Sequence, residues 1–507
     1  METKEVLSPA EERFERARKS IGLFLGPAVF IILYLLPMGG LAPEAHKLLA
    51  VVGFVLIYWL SEAVPLPVTA LLGAVMNVII GVAPASVVLA PFAHPLVFLF
   101  IGSFILAEAV IYHGLDKRFA FAILSIKFLQ ASPLRILFAL GAISACASMW
   151  ISNTAATAMM LPIGLGIIHA MKDIDSGSEG EGIVTKKFSC AIMLMIAYGG
   201  SVGGIATPVG TPPNLIGIGM IDSLLKVRIT FFEWMTFALP ISIVMFGYLF
   251  LVLGGLSMRG ISSSAGICEY IRTARRGLGR WKRGEINTAF VFLLTVFLWV
   301  LPSIVALIVG KEAALAVFLK SRLNVGVVAT FSAVLLFILP VNRKAMEFTM
   351  NWDRAVRIDW GTILLFGGGL SLGKLMFSTG LADAFGTGLT GLTGASTLWG
   401  ITAIGVIVAI VMSEATSNTA SANMVIPVMI AVALGAGVSP LPPALGACLG
   451  ASFGFMLPVS TPPNAIVYGS GLVPILSMVR KGIFFDIGGF IIIMIGLYIL
   501  CPLLGLM

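Results

Sequence analysis

The chain alternates between apolar runs close to the length of a membrane crossing and short polar connections. A spanning helix needs about 20 mainly apolar residues. Stretches 21–38, 47–60, 65–82, 96–128, 188–219, 231–256, 287–309, 325–339, 360–378, 440–471 and 483–504 meet or approach that length. They predict eleven transmembrane helices. Two more apolar stretches, 134–171 and 392–434, are each interrupted near the middle by Ser-Asn-Thr. The arm 155–170 would reach only about 24 Å at 1.5 Å per residue, short of a crossing. Both stretches therefore read as re-entrant hairpins with the tripeptide at the tip. Non-helical backbone at that depth requires protein or a wet cavity around it.

The pattern also repeats. Ser152-Asn153-Thr154-Ala155 returns 265 positions later as Ser417-Asn418-Thr419-Ala420. Upstream, Phe100-Ile101-Gly102 through His113-Gly114-Leu115 matches Phe366-Gly367-Gly368 through Thr379-Gly380-Leu381 at an offset of 266. Downstream, Thr207-Pro208-Val209-Gly210-Thr211-Pro212-Pro213-Asn214 pairs with Leu457-Pro458-Val459-Ser460-Thr461-Pro462-Pro463-Asn464 at an offset of 250. The polar loop around 172–187, which the second copy lacks, accounts for the change of offset. Three motifs in one order indicate a duplicated unit. Five spans, an odd number, separate the two tripeptide hairpins, so the copies face opposite ways. Inverted repeats of this kind place a binding site near the bilayer midplane and suit alternating access. A carrier is expected before a channel.

Composition agrees. Apolar residues make up 58% of the 507 positions and charged ones 11%, against about 25% charged in soluble domains. A water-soluble enzyme and a disordered chain are both excluded. The net charge of +8 follows topology. With the N-terminus in the cytoplasm, Lys47, Lys226, Arg228, Lys311, Lys320 and Arg322 lie outside and Lys374 within a span. The other 25 of the 32 Lys and Arg face the cytoplasm, as the positive-inside rule predicts. The densest cluster, Arg272, Arg275, Arg276, Arg280, Lys282 and Arg283, occupies one loop. Nucleic acid is not an expected partner, whereas membrane lipid is. The first apolar run reads as a retained span. Five scattered cysteines without a CxxC look like apolar fillers, and His46, His94, His113 and His169 are too isolated to suggest a metal site.

Pro212-Pro213 and Pro462-Pro463 each break a long apolar helix and free backbone groups nearby, and the Gly203-Gly204 and Gly210 region loosens the first break further. Carbonyls at the C-terminal end of a half-helix can hold a cation; amides at an N-terminal end can hold an anion. Ser, Asn and Thr supply neutral oxygens and donors, and no Lys or Arg stands at any of the four interruptions. This set suits Na+ beside an oxyanion such as a carboxylate, with charge neutralised by co-bound cations.

Paired Ser-Asn-Thr tripeptides, each followed by Thr-Pro-Pro-Asn, resemble the divalent anion:sodium symporter family of di- and tricarboxylate and sulfate carriers, over roughly 96–471. The resemblance implies an all-α integral membrane protein with an inverted repeat of about eleven transmembrane helices and two hairpins, working as an elevator and assembled as a homodimer. It implies a first Na+ site of Ser148, Ser152, Asn153 and Gly210, and a second of Ser413, Thr416, Asn418 and Ser460. It places the anion against Asn153, Thr154, Asn418 and Thr419, with Thr211, Pro212, Thr461 and Pro462 opposite. No residue is expected to be catalytic. The implied organisation is a cytoplasmic segment 1–20, scaffold 21–130, transport unit 131–230, scaffold span 231–258, basic cytoplasmic loop 259–285, scaffold 286–378, transport unit 379–475 and a final helix 476–507. The expected setting is the cell membrane, with the N-terminus cytoplasmic and the C-terminus outside.

The expected function is Na+-coupled uptake of a C4-dicarboxylate such as succinate, malate or fumarate. A Na+-independent dicarboxylate exchanger and a sulfate or tricarboxylate carrier share the fold; an anion channel is a further rival. An enzyme is not expected, since the sequence has no HExxH and no plausible catalytic dyad. Glu414, where the first copy has Met149, reads either as a packing or hydrogen-bonding group or as a cation- or proton-linked carboxylate. Glu108 and Lys374, at equivalent positions in the two copies, are expected to pair with each other or to cap neighbouring helices.

Overall fold

The computed structural model describes residues 9–172, 181–257, 265–393 and 397–506. Among them eleven helices are long and apolar enough to cross a membrane, but these are not the expected eleven. Three are hairpin arms: Asn153–Met171, Leu398–Ala415 and Asn418–Gly435. The set omits Leu66–Ile79 and Leu441–Gly450, which are short, and Val325–Ile338, which is bent by 58° against Ala314–Arg322. The first hairpin's second arm, Asn153–Lys172, has 20 residues. That is about 30 Å of helix, longer than the tripeptide spacing suggested. The expected single run 96–128 is also divided. It breaks at Gly114, whose φ of +73° ends the helix Pro95–His113 before Leu115–Leu124 begins. A small antiparallel pair, Pro340–Asn342 with Glu347–Phe348, has no counterpart in the sequence reading.

Helix faces set the layering. On Arg283–Val309, Ile286, Phe290, Leu293, Phe297, Ile304 and Leu307 are exposed at three-, four- and seven-residue steps, an apolar stripe suited to lipid. On the last helix, Ile475–Leu504, Phe484, Ile487, Ile491, Ile495 and Tyr498 do the same. At the other extreme, the helix through Lys186–Ile205 is wholly buried from Phe188 onward. It packs against both arms of the first hairpin, Pro133–Ser148 and Asn153–Lys172, and against Phe231–Ser257. Gly203 permits this, because a Cβ there would lie 2.1 Å from the Ala145 carbonyl oxygen of the hairpin.

The two halves interlock. The second arm of the first hairpin packs on Pro462–Tyr468 of the second half, and the second arm of the second hairpin, Asn418–Gly435, packs on Pro212–Met220 of the first. Each hairpin therefore lies against the other copy's broken helix. The second hairpin's tip also meets the long first helix, Pro9–Leu35. The Arg18 guanidinium donates to the Ala415 carbonyl at 3.3 Å while pairing with Glu15 and Glu62.

Charged groups settle into three clusters, one of them at odds with the sequence reading. Glu108 pairs with Arg354, at 3.6 Å, and not with Lys374; Arg354 also lies over the Tyr112 ring at 3.7 Å. The reason is sequence distance. Arg354 follows the small strand pair, whose existence the helical pattern did not reveal. Asp222, just beyond Met220, sits 3.7 Å from the His94 ring and 3.6 Å from Arg228. The His94 ring beside it, with Arg228 and Lys226, holds its carboxyl below the ordinary carboxylate range despite partial burial. Within the expected basic loop, Ala265–Gly277 is helical, and Arg118 ties Glu285 to it through the carbonyls of Leu278, Gly279 and Arg280. Arg259, and much of the polar loop 172–187, lie outside the described residues.

Candidate functional site

Each hairpin turns tightly. In the first, Pro133–Ser148 gives way to Asn153–Lys172 across four residues; in the second, Leu398–Ala415 gives way to Asn418–Gly435 across Thr416 and Ser417. Ser152 and Ser417 start the second arms. Their hydroxyls accept from the N–H groups of Ala155 and Ala420, both at 3.2 Å, which satisfies an otherwise orphaned donor. Ser152, an expected cation ligand, thus spends its side chain on the helix cap.

The serine one turn before each tripeptide reaches across the turn. Ser148 donates to Asn153 Oδ1 at 2.6 Å, and Ser413 donates to Asn418 Oδ1 at 2.7 Å. Ser413 also contacts the Ala451 carbonyl at 2.9 Å. Both serines are buried, whereas Asn153 and Asn418 are half-buried. At the first tip the Ser148 proton meets the amide oxygen, which keeps a free lone pair, whereas at the second the single Ser413 proton is shared between Asn418 Oδ1 and the Ala451 carbonyl. Thr154 and Thr419 are half-buried beside them, and their hydroxyls have no protein partner among the described residues. Such groups can meet an anion.

The breaks lie behind the tips. In the first, a Cβ on Gly210 would sit 2.5 Å from the Gly204 carbonyl oxygen and 2.7 Å from that of Ser148; one on Gly204 would sit 2.2 Å from Asn153 Oδ1. Three oxygens from three segments therefore converge on a space that only glycine leaves open. Of the expected first cation set, Ser148, Asn153 and Gly210 come together here. In the second half the equivalent of Gly210 is Ser460. Its hydroxyl bonds the Glu414 carboxylate at 2.6 Å and lies 3.1 Å from the Glu414 carbonyl, while Asn418 Oδ1 faces Gly454. Ser413, Asn418 and Ser460 cluster, but the Thr416 hydroxyl turns back onto its own helix, to the Met412 carbonyl at 2.8 Å. Thr211 and Thr461 are buried at the starts of Pro212–Met220 and Pro462–Tyr468, with Pro212 half-buried and Pro462 exposed.

Two asparagines that the sequence reading quoted but gave no task turn out to hold the breaks together. Asn214 donates to the carbonyls of Gly204, Ile205 and Thr207 at 3.0, 3.1 and 2.7 Å. Asn464 donates to those of Gly454 and Leu457 at 2.8 and 3.0 Å. The side-chain amide replaces the bonds that the prolines removed. Its repetition after both Pro-Pro pairs was the available signal. Thr207 adds a bond to the Met149 carbonyl, joining the first break to the first tip. Glu414 joins the second: its carboxylate accepts from the N–H groups of Phe455, at 2.5 Å, and Met456, at 2.8 Å, besides Ser460. Of its two readings, the hydrogen-bonding one describes these contacts. No Lys, Arg or His forms an ion pair with any of these residues among those described.

Comparison with known proteins follows the same lines. A family model described as the sodium:sulfate symporter transmembrane region matches residues 17–507. The sodium-dependent dicarboxylate transporter SdcS of Staphylococcus saprophyticus is 33% identical over 486 residues, covering 95% of this chain and 91% of that protein. SdcS of Staphylococcus aureus strain USA300 is 32% identical over 496 residues, covering 96% and 92%. Among solved structures, the YdaH transporter of Alcanivorax borkumensis superposes with a TM-score of 0.52 at 13% identity, over 96% of this chain and 97% of that one. That last likeness concerns the fold alone.

Proposed function

Because this chain belongs to the sodium:sulfate symporter family, we propose that it is a secondary active transporter that brings C4-dicarboxylates such as succinate, malate or fumarate into the cell together with Na+. The observation that carries the reading is the twofold Ser-to-Asn arrangement at the hairpin tips, backed by broken helices, with no site residue in an ion pair with Lys, Arg or His among those described. An anion entering such a site lacks a fixed positive partner. Na+ at the converging oxygens supplies it, so each species favours the binding of the other. The relatives aligned over nearly the whole chain carry sodium-dependent dicarboxylate transport in their names.

In this reading Ser148, Asn153 and Gly210 hold one Na+, and Ser413, Asn418 and Ser460 another, with Ser152 and Thr416 offering main-chain oxygens. Asn153, Thr154, Asn418 and Thr419 bond the carboxylates, and the segments at Thr211-Pro212 and Thr461-Pro462 line the far wall. The two hairpins, the broken helices and the last helix move as one transport unit against the scaffold helices of a homodimer in the cell membrane, its N-terminus cytoplasmic. Two Na+ balance a divalent anion, so the Na+ gradient drives accumulation, and only Na+ in excess of that balance would gain about 2.3 kcal/mol per charge per 100 mV from the membrane potential.

The family description names sulfate, so a sulfate carrier is the second reading. The deciding experiment is competition uptake into proteoliposomes with and without a Na+ gradient. Succinate uptake that needs Na+ and is displaced by malate and fumarate, not by sulfate, is the expected result. Displacement by sulfate favours the second reading. Succinate counterflow undiminished in Na+-free medium would instead make the protein an exchanger.

A further inference from the structure

The proposed transport sites leave unused two cavities that share one turn. The first lies along the helix Ala265–Gly277 and has a volume of about 760 Å³. Lys127, Arg272, Arg275, Arg276 and Arg280 line it, against a single acid, Glu269. Glu269 pairs with Arg272, and the other four cations form no ion pair among the described residues. All five are exposed. The apolar side of the helix is already taken. Ile267 and Ile271 are buried, and Tyr270 packs so closely on the first hairpin's second arm that a Cβ on Gly166 would lie 2.2 Å from its ring.

The second cavity, of about 580 Å³, is apolar. It lies between the tip of the first hairpin, at Met149, Trp150 and Ile151, and the helix Arg283–Val309, at Ala289, Phe292 and Leu293. Its size falls within the range of about 300–1,000 Å³ that suits a ligand. Of its two charged lining residues, Arg118 is paired with Glu285 at 2.9 Å, and burial pushes the Asp116 carboxyl up toward its neutral form. The rim meets the lipid-facing surface. Leu293 belongs to the exposed stripe of Arg283–Val309, and Phe119 and Trp281 are exposed beside it. The turn 278–281 joins the two cavities. Gly279 and Arg280 line the basic one and Trp281 the apolar one. Arg118 fixes this turn through the carbonyls of Leu278, Gly279 and Arg280 and lies 4.8 Å over the Trp281 ring.

We propose that the two cavities together hold one anionic phospholipid, its phosphate headgroup among the arginines and an acyl chain in the apolar slot. Guanidinium groups bond phosphate oxygens in pairs, and a basic residue near the surface favours anionic lipid roughly fivefold. A chain that enters past Leu293 stays among apolar surfaces throughout. A soluble anion would use the first cavity alone, and a neutral lipid only the second. The pair therefore selects a molecule that carries both groups. The chain touches the hairpin tip on one side and Arg283–Val309 on the other, so an occupied slot strengthens the arrangement seen here. None of the lining residues belongs to the proposed Na+ or anion sites.

The test uses the full chain in neutral detergent and follows its melting temperature and the lipid it retains in native mass spectrometry. The probes are phosphatidylglycerol, phosphatidylcholine with the same chains, and glycerol 3-phosphate. Phosphatidylglycerol should raise the melting temperature and stay bound as one molecule per chain, while neither other probe does so. Arg272→Gln, Arg275→Gln and Arg276→Gln combined should weaken that binding roughly a hundredfold. Ala289→Phe fills the apolar slot and should weaken it roughly tenfold, each methylene kept out costing about a factor of four. If Ala289→Phe does not fold, Ala122→Phe, at an exposed position of the same lining, is read in its place. Equal binding of phosphatidylcholine, or binding indifferent to the three arginines, overturns the headgroup site. An equal shift with glycerol 3-phosphate shows a site for free phosphate and overturns the lipid. Phosphatidylglycerol binding unchanged by the slot-filling variant overturns the place given to the chain.

Discussion

Ser148 Oγ donates to Asn153 Oδ1 across 2.6 Å, from the last turn of one hairpin arm to the first residue of the other. The bond fixes the asparagine amide so that its oxygen faces the glycines of the first break, 2.2 Å from where a Gly204 side chain would begin. Asn153→Ala and Asn418→Ala should therefore abolish coupled uptake while the protein still elutes as folded material. Ser148→Ala removes only the orienting bond. It should weaken Na+ dependence by roughly tenfold or more, the usual cost of losing a partner that orients a metal ligand. Na+ titration of succinate uptake reads both; wild-type half-saturation in Ser148→Ala would contradict the role given to that bond.

Gly210→Ala tests the same space by filling it. A methyl group there meets two carbonyl oxygens at 2.5 and 2.7 Å, closer than real Cβ contacts allow. Na+-dependent uptake should be lost even though the change adds a single carbon. At the equivalent position the second copy already carries Ser460, so Ser460→Ala should be milder for packing and should act through Glu414, whose carboxylate loses one donor.

Asn214→Ala leaves the carbonyls of Gly204, Ile205 and Thr207 without the donor that now serves all three. A buried acceptor deprived of its partner costs about 1–3 kcal/mol. The melting temperature in detergent should fall, and by more than for Asn464→Ala, which serves two carbonyls. Equal melting of wild type and Asn214→Ala would show that water or relaxation replaces the amide.

Lys374→Ala should leave folding and uptake near wild type, because Glu108 is engaged by Arg354. Reversing Glu108 and Arg354 together should restore what either reversal alone loses. For a partly exposed pair that loss is under about 1 kcal/mol, so a double-mutant cycle on thermal stability is the suitable measurement.

The Asp222 cluster gives a pH dependence with a definite sign. His94, Arg228 and Lys226 lower the Asp222 carboxyl in the folded protein, so folding favours its ionised form. The stabilisation is complete above the unfolded value, about 3.9, and disappears as the pH falls through the lowered folded value. Thermal melts between neutral pH and the acid limit should therefore converge for wild type and Asp222→Asn at low pH, with wild type the more stable near neutrality.

Much of this architecture was readable because duplication states the same constraint twice. The tripeptides, the proline pairs and their order gave the hairpins, the breaks and Asn153 and Asn418, and the family resemblance added Ser148 and Ser413. What escaped depends on side-chain direction, which spacing does not encode. Ser152 and Thr416 carry hydroxyls in the right places but turn them to their own helices. Arm length was misjudged because hydropathy cannot mark where a helix stops inside an apolar run, as Gly114 shows. Arg354 is far in sequence from the acid it meets, Glu108, and a single chain offers no pattern that joins them.

The contact between Arg18 and the Ala415 carbonyl has a kinetic corollary. In the proposed cycle the second hairpin's tip cannot travel until that bond parts, and it re-forms only when the tip comes home. A single bond of about 1 kcal/mol tilts the resting occupancy roughly fivefold toward the docked end of the stroke. The extended first helix thus serves as a detent, setting where an idle protein waits between rounds.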